Sequence, residues 1–247
     1  MNDERKLALT LCFDGAPYHG WQVQKGAPTV QKTVQNALEV IAGHPLPVTG
    51  CSRTDAGVHA NMYVCHTDDF GMAPEVAVRA LNAHLPDSIA VTDARYVPYD
   101  FHARYSCVGK EYIYKIWNAP YRDPFSIGRT YFFPRPVDET SIAFVCDELC
   151  GRHDFRAFMA QGSKITEDTV RTVEYCTLRR DGHLLTLSVK ADGFLYNMVR
   201  IIVGTCLDAA SGRYQPGDVA AAIASHSRKN AGFTAPAEGL YLNRVFY

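Results

Sequence analysis

The chain begins with a segment in which large apolar residues alternate with smaller or polar ones. Every second residue over 7–13 is large and apolar, which predicts a half-buried strand. Apolar residues then recur at helical spacing over 30–41, with Thr29 placed to cap the first turn and Gly43 to end the helix. The pattern predicts a strand followed by a helix.

Similar patterns along the rest of the chain complete two units of the same kind. In the first half they predict further strands near 47–53, 60–67 and 89–97, and a helix near 74–84 that begins with Pro74. In the second half they predict strands near 111–118, 170–179, 184–190 and 240–246, helices near 138–150 and 194–210, and an additional short strand (129–133) and helix (216–226). We therefore predict an α+β fold with two ferredoxin-like (βαββαβ) halves, 1–105 and 106–247, whose mainly antiparallel sheets join edge to edge and leave a cleft.

The charge of the chain is nearly balanced, with 25 Lys and Arg against 26 Asp and Glu. Nucleic-acid-binding proteins usually carry a local basic excess, so composition alone does not indicate one. Basic residues nevertheless occur in close pairs: Arg152 and Arg156, Arg179 and Arg180, Arg228 and Lys229. These pairs could form a positive face, or they could belong to an ordinary solvated surface.

No segment of the sequence indicates export or membrane insertion. The first residues lack the apolar core of a signal peptide, and the most apolar stretch, 194–207, is interrupted by Asn197, Arg200 and Thr205. The eight cysteines are scattered without a Cys-x-x-Cys pair or a recognisable zinc spacing. We expect a cytoplasmic protein with no disulfide, no membrane span and no metal.

A polar segment, Arg53-Thr54-Asp55-Ala56-Gly57-Val58-His59, lies between two predicted strands. Asp followed by Ala-Gly suits a tight turn, because Asp can bond its own backbone and Gly can adopt a positive φ. Taken alone, the segment favours a turn over a catalytic site.

Arg200 lies among apolar residues on a predicted helix that should be largely buried. A buried guanidinium without a partner costs roughly several kcal/mol, so a carboxylate or a ligand phosphate should lie against it. The alternatives are a structural ion pair, or an arginine whose stem is buried and whose charged end reaches solvent.

Tyr112 and Tyr114 fall on one face of the strand predicted near 111–118. Aromatic residues on a sheet usually serve packing. The functional alternative is a platform for an unstacked RNA base, with a phenol that can donate or accept a proton.

Several common catalytic motifs are absent from the sequence. It contains no His-Glu-x-x-His, no phosphate-binding loop ending in Gly-Lys-Ser/Thr, no Gly-x-Gly-x-x-Gly and no Gly-x-Ser-x-Gly. Common hydrolase and nucleotide-binding functions therefore lose support.

Eight blocks of sequence, in order along nearly the whole chain, resemble one family. They are FDG (13–15) leading to YHGWQVQ (18–24), RTDAGVHA (53–60), NAHLP (82–86), FHAR (101–104), KEYIY (110–114), HDF (153–155), FLYNMVR (194–200) and AEGLYL (237–242). On these blocks the chain resembles the tRNA pseudouridine synthases of the A type. Ser52 is a departure, since many relatives have glycine before the Arg-Thr-Asp.

The resemblance implies the pseudouridine synthase fold, in which two similar halves flank a central basic cleft. It also implies a homodimer that acts on tRNA and isomerises uridines of the anticodon arm at positions 38, 39 and 40. Such an isomerisation requires no redox group and no external nucleophile, so no cofactor is implied.

The same resemblance assigns roles to the three ambiguous features. Asp55 becomes the catalytic carboxylate required for breaking the uridine C1′–N1 bond, and Arg200 its ion-pair partner. Tyr112 would stack on the uracil and assist loss of the C5 proton, and Leu240 would form an apolar wall of the pocket. The candidates for RNA contact are Arg53, His59, His102 and Arg104, of which His59 and His102 could equally be structural histidines.

Two questions stay open at the level of sequence. The carboxylate could attack C1′ covalently or remove the 2′ proton to give a glycal, because either step needs an ionised, oriented Asp55. The chain could also modify another RNA, or be a tRNA-binding or tRNA-folding module without catalysis. Intact Asp55, Tyr112 and Arg200 argue against the second alternative.

Overall fold

A computed structural model describes residues 5–160, 162 and 168–247, and these fall into two compact units. Unit 1 comprises Met1–Val108 together with Tyr241–Tyr247, and unit 2 comprises Gly109–Leu240. The last strand, which the sequence pattern assigned to the second half, belongs to the first.

Unit 1 contains one ferredoxin-like set of elements and one additional strand. The elements are β1 (Arg5–Phe13), α1 (Val30–Ala42), β2 (Thr49–Gly50), β3 (His59–Asp68), α2 (Pro74–His84), β4 (Ile89–Pro98) and the additional β10 (Leu240–Phe246). Both helices and the last strand have the bounds that periodicity and capping residues predicted. The side chain of Thr29 accepts a hydrogen bond from the Lys32 amide, and Gly43 ends α1 at φ +77°.

The sheet of unit 1 has β1 at its centre. β1 pairs antiparallel with β3 on one side and β4 on the other, and β2 continues from the free side of β3. This is the strand order of a ferredoxin-like unit. The outer side of β3 is shared: β2 pairs with one end, and β10 runs parallel to the other end, where Tyr241 lies opposite His59.

The described residues of unit 2 form five strands, one of them very short, and three α-helices. They are β5 (Gly109–Trp117), β6 (Tyr131–Phe132), α3 (Glu139–Leu149), β7 (Gly151–Asp154), β8 (Val170–Asp181), β9 (Leu184–Ala191), α4 (Met198–Ala210) and α5 (Asp218–Ser225), with short 3₁₀ turns at Phe155–Phe158, Arg228–Asn230 and Ala237–Gly239. The strands are ordered β5-β9-β8-β7 and pair antiparallel, while the short β6 runs parallel to β5. α3 packs against α4 and against β8. The predicted α+β, mainly antiparallel class is confirmed.

Two details of unit 2 differ from the sequence pattern. α4 begins at Met198 rather than at 194, because Asn197 takes a left-handed conformation with φ +59° at its N-terminal boundary. Gly151 does not simply stop α3, since it opens the strand β7 at φ +105°. β7 was not predicted, because its four residues, GRHD, show no apolar alternation.

Most large apolar side chains of both units are buried in their interiors. Leu7, Leu9 and Leu11 of β1 are completely buried, as are Ile201, Ile202 and Val203 of α4. Within the described residues, no helix combines the length and the apolarity needed to cross a bilayer. All eight cysteines are free thiols.

Candidate active site

The segment that carries Asp55 is a loop between β2 and β3, tied to the chain near Tyr18 on both sides. The Trp21 amide donates to the Thr54 carbonyl at 3.1 Å, and the Gly57 amide donates to the Tyr18 carbonyl at 3.2 Å. The Val58 amide closes the turn on the Asp55 carbonyl at 3.2 Å. The turn expected from the sequence is therefore present, and its backbone is fixed on both sides of a half-buried Asp55.

Two glycines allow this close approach between the loops. Gly20 has φ +86°, and a methyl group on it would lie 2.5 Å from the Thr54 carbonyl oxygen. A methyl group on Gly15 would lie 2.0 Å from the Val58 carbonyl oxygen. Any side chain at either position would push the Asp55 loop away, because a backbone oxygen cannot rotate aside as a side chain can.

Buried aromatic rings support the start of the loop. Trp21 stacks on Tyr63 with ring centroids 4.1 Å apart, and both rings are buried. The Tyr63 hydroxyl donates to the Ser52 carbonyl. A methyl group on Gly50 would lie 2.1 Å from that hydroxyl, so this position too is restricted to glycine. The hydroxyl of Tyr63 thus bonds the backbone of Ser52.

His59 follows the loop and is buried at the start of β3, with 1% of its surface exposed. Its Nδ1 accepts a hydrogen bond from the Gly15 amide at 3.0 Å and lies 3.1 Å from a carboxylate oxygen of Asp14. The ring stacks on Tyr241 with centroids 4.6 Å apart. These contacts are those of a structural histidine, and its predicted contact with RNA stays a prediction.

His102 and Arg104 lie in the loop that follows β4. Nδ1 of His102 accepts from the amides of Arg104 at 3.1 Å and Tyr105 at 3.2 Å, so the ring organises the loop. The ring also packs against Tyr105 with centroids 4.3 Å apart. Arg104 is exposed, as is Arg53 beside the Asp55 loop, which leaves both side chains accessible to a ligand.

The two tyrosines that share a face of β5 have different surroundings. Tyr114 is completely buried, and its hydroxyl donates to the Pro236 carbonyl at 2.8 Å. A methyl group on Gly239 would lie 2.6 Å from the Tyr114 ring, and burial raises the pKa of Tyr114. The packing interpretation is therefore correct for Tyr114. Tyr112 lies edge-on to Phe194 at 5.0 Å and is 6% exposed.

Arg200 occupies the first turn of α4 and is half-buried. Its Nε donates to the Ala235 carbonyl at 2.6 Å, and its Nη1 donates to the side-chain oxygen of Asn197 at 2.8 Å. The Ala235 amide donates in turn to the Arg200 carbonyl at 3.0 Å. The guanidinium is thus oriented by two acceptors from its own unit.

The acceptor on Ala235 is held in place by close packing of residues 231–235 on α4. A methyl group on Gly204 would lie 1.8 Å from the Phe233 carbonyl oxygen, and one on Gly232 would lie 2.3 Å from the Thr205 nitrogen. The Thr205 hydroxyl accepts from the Gly232 amide at 2.9 Å and donates to the Ile201 carbonyl at 2.8 Å. Leu240 follows this segment and is buried.

Within the residues that the structure describes, no group of three or more His, Cys, Asp or Glu side chains is arranged to hold a metal ion.

Comparison with known proteins defines the family. The family model described as tRNA pseudouridine synthase matches residues 12–106 and 145–247, which is more than half of the chain. The chain belongs to the tRNA pseudouridine synthase family. Asp55, Arg200 and Leu240 lie in the matched segments of this synthase, and Tyr112 lies between them. The RNA-isomerase class predicted from the sequence is confirmed at the level of the family.

Curated relatives of this synthase match it over almost its full length. A tRNA pseudouridine synthase A of Acetivibrio thermocellus is 41% identical over 98% of this chain and 100% of its own. A tRNA pseudouridine synthase A of Shouchella clausii is 43% identical over 98% of this chain and 93% of its own, and one of Methylacidiphilum infernorum is 42% identical over 97% and 94%.

The sequence patterns of this synthase did not predict which residues position the Asp55 loop. They are Gly15, Tyr18, Gly20, Trp21, Gly50 and Tyr63. Four of them fall within or next to the quoted blocks, but no role was assigned to them. The available signal was a pair of glycines flanking an aromatic loop, a pattern that is typical of close backbone approach.

Proposed function

We propose that this chain isomerises uridine to pseudouridine at positions 38, 39 and 40 in the anticodon stem-loop of tRNA. The observation that carries the proposal is the Asp55 loop: a half-buried carboxylate on a backbone fixed from both sides by the segment around Tyr18. The relatives that match over almost their full length are named tRNA pseudouridine synthase A, which supports the reaction and the class of RNA. Catalysis in a fixed loop is favoured because little reorganisation is needed at the moment of reaction.

The proposed chemistry breaks one glycosidic bond and forms another. The target uridine leaves its stack, at a cost of roughly a few kcal/mol, so that its C1′–N1 bond can be reached. Asp55, ionised, assists cleavage of that bond, either by attack on C1′ or by removal of the 2′ proton. The released uracil rotates and its C5 bonds to C1′, which breaks the Asp55–C1′ bond in the first route or is accompanied by return of the 2′ proton in the second. N1 then takes a proton and C5 loses one.

We assign three further residues to this reaction. Tyr112 stacks on the uracil and assists loss of the C5 proton, on a strand of unit 2 where its ring packs at a steep angle to Phe194. Arg200 stabilises the ionised form of Asp55, and Leu240 contributes an apolar wall. The proposal requires Asp55 of unit 1 and Tyr112 and Arg200 of unit 2 to act on the same uridine.

Binding and assembly complete the proposal. Exposed Arg53 and Arg104 are assigned to tRNA contact, together with half-buried His102. His59, which was a candidate for the same role, is buried at the start of β3 and takes the structural alternative. We infer a homodimer, as the resemblance to the family implies. We place it in the cytoplasm, where its tRNA substrate is, and assign it no cofactor because the reaction is an isomerisation.

Release of tritium from tRNA labelled at uridine C5 tests the proposal. The wild-type chain should release tritium, and release should stop when the uridines at positions 38, 39 and 40 are replaced by cytidine. Asp55→Asn should reduce the rate by at least about 10⁴-fold, the scale of losing an essential catalytic group. Asp93→Asn removes a carboxylate from an exposed position on β4 and should have no effect.

Each alternative predicts a different outcome. Release that persists without the three uridines would indicate another target, and tRNA binding without release would indicate a binding or folding module. Unchanged release by Asp55→Asn would exclude Asp55 as the catalytic carboxylate.

A further inference from the structure

A second candidate binding site lies in unit 2, along the connection between β5 and β6. It is a cavity of about 330 Å³, and its walls include Trp117, Arg122, Ser126, Thr130 and Phe132. Cavities that hold small ligands have volumes of roughly 300–1,000 Å³, so this one is large enough for a single small molecule or nucleotide. All of its wall residues except Glu238 lie between the two segments that the family model matches, 12–106 and 145–247.

The connection that forms the cavity is ordered by its own hydrogen bonds. The Asp123 carboxylate accepts from the Phe125 amide at 3.1 Å, and the Asp123 carbonyl accepts from the Ser126 amide at 3.2 Å. The Ser126 carbonyl accepts from the amides of Arg129 at 2.9 Å and Thr130 at 3.1 Å. Consecutive turns therefore preform the cavity, which lowers the entropy lost when a ligand binds.

The walls carry aromatic rings, one arginine and two carboxylates. The guanidinium of Arg122 lies 5.2 Å from the centroid of Phe132, within cation–π distance. Trp117 donates its indole N–H to the Tyr121 carbonyl at 2.9 Å, which fixes the ring plane at the cavity. Arg122 is exposed and forms no ion pair with any residue that the structure describes. Its charge is therefore available to a ligand.

The surface around the cavity also carries aromatic and apolar side chains. Phe125, two residues from the cavity wall at Asp123, is 92% exposed, and Tyr121 and Ile127 are exposed as well. Exposed aromatic rings beside an arginine are typical of surfaces that stack unpaired bases and hold a phosphate. Two carboxylates, of Asp123 and Glu238, also line the cavity and would repel a phosphate placed deep inside.

We infer that this cavity binds one unpaired nucleotide of the substrate tRNA, distinct from the target uridine. The base lies against the Trp117 and Phe132 side chains, which are neighbours on β5 and β6, and its phosphate lies at the rim on Arg122. This inference rests on the proposed function, because it takes tRNA as the ligand. It assigns a substrate contact to the part of the chain outside the matched family segments.

Substitution of Arg122 tests the phosphate contact. Arg122→Ala should weaken binding of tRNA roughly five- to tenfold, the loss expected for one charge-assisted contact, with turnover at saturating tRNA unchanged. The slope of log affinity against log salt concentration should fall by about 0.7 to 0.9, the value for one phosphate contact. Arg79→Ala removes the same charge from an exposed position on α2 and should change neither quantity.

Tryptophan fluorescence tests the stacking contact directly. The chain has two tryptophans, and Trp21 is buried, so tRNA should quench mainly Trp117. Trp117→Phe should remove the quenching. Phe132→Leu, which keeps an apolar side chain but removes the ring, should weaken tRNA binding severalfold, and Phe132→Tyr should restore it.

The outcomes separate this inference from the proposed function. If Arg122→Ala and Phe132→Leu bind tRNA with wild-type affinity and salt slope while the wild-type chain modifies it, the cavity does not bind the substrate. If the wild-type chain binds tRNA through the cavity but releases no tritium, the proposed function fails and the binding site stands.

Discussion

The position of the Asp55 carboxylate depends on a residue that has no side chain. Gly20 combines a positive φ with a backbone contact to Thr54, and both requirements exclude other residues. A single methyl group at Gly20 would therefore displace the loop that carries the proposed catalytic group, Asp55.

Gly20→Ala should lower both stability and turnover. The left-handed conformation costs roughly 1–2 kcal/mol for a residue with a Cβ, and the 2.5 Å contact with the Thr54 oxygen adds to it. Gly26→Ala is the matched control, because Gly26 has φ +78° and no atom within 4 Å of the added methyl group. Urea unfolding and tritium release should show a larger loss of stability for Gly20→Ala, and a loss of turnover for that variant alone. Equal effects of the two variants would refute the role given to the close approach.

A second residue gives the stability of unit 1 a pH dependence. Burial, followed by the charges of Lys6 and His102, lowers the pKa of His66 from 6.5 to about 4. Its Nδ1 accepts a hydrogen bond from the Ala103 amide at 3.1 Å. Only the neutral ring can make this bond, because a protonated ring has no acceptor nitrogen.

The free energy of unfolding should therefore fall on acidification between pH 6.5 and about pH 4. In this range the unfolded chain binds a proton at His66 that the folded chain excludes, so the contribution of His66 is complete above pH 6.5. His66→Asn keeps an acceptor for the Ala103 amide but does not titrate. Urea unfolding measured across this pH range should show a shallower slope for the variant, and parallel slopes would contradict the assignment.

At the scale of elements, the sequence predicted well those helices whose ends are set by local chemistry. α1 and α2 have their predicted bounds because Thr29, Gly43 and Pro74 act through nearby backbone groups. α4 was predicted four residues too long, since the buried Leu195 continues the apolar pattern through a segment that is not helical. β2 is only two residues long, although its pattern suggested seven.

The parts of the candidate site that were not predicted depend on contacts between distant segments. Arg200 was identified as an arginine in need of a partner, but its acceptor on Ala235 is 35 residues away. No local pattern encodes which backbone carbonyl will face a side chain. The same holds for the approach of Gly20 to Thr54, which requires two loops to fold together.

The Thr205 hydroxyl should be essential to the packing of residues 231–235 on α4. Thr205→Val keeps the shape but leaves the Gly232 amide without its acceptor, which should cost about 1–3 kcal/mol of unfolding free energy. Thr205→Ser retains the hydroxyl and should cost less. Denaturant unfolding measures both variants, and a Val variant as stable as the Ser variant would show that the hydrogen bond contributes little.

At the scale of the whole molecule, the compact units do not follow the order of the chain. Residues 241–247 belong to unit 1, where the Tyr247 hydroxyl donates to the Ala103 carbonyl at 2.7 Å and the Val108 amide donates to the Phe246 carbonyl at 2.9 Å. The sequence pattern did not predict this, because it records the order of strands and not their partners.

Removal of residues 241–247 should therefore loosen unit 1. Amides of β1 and β3 should exchange with deuterium faster in the truncated chain, because β3 loses the pairing with β10 opposite His59. Tyr247→Phe removes only one hydrogen bond and should increase exchange near Ala103 alone. Faster exchange confined to unit 2 in the truncated chain would contradict this division.

The place of β10 also has a consequence for how the protein is made. The strand that completes unit 1 is synthesised after the whole of unit 2, and in the folded chain Tyr241 returns to lie opposite His59. Domains usually fold from the N-terminus as the chain emerges from the ribosome, but here the edge of β3 at His59 cannot pair with β10 until unit 2 has been translated. The nascent chain is thus exposed to mispairing for most of its synthesis, and the Asp55 loop stays on an unfinished unit until β10 is released.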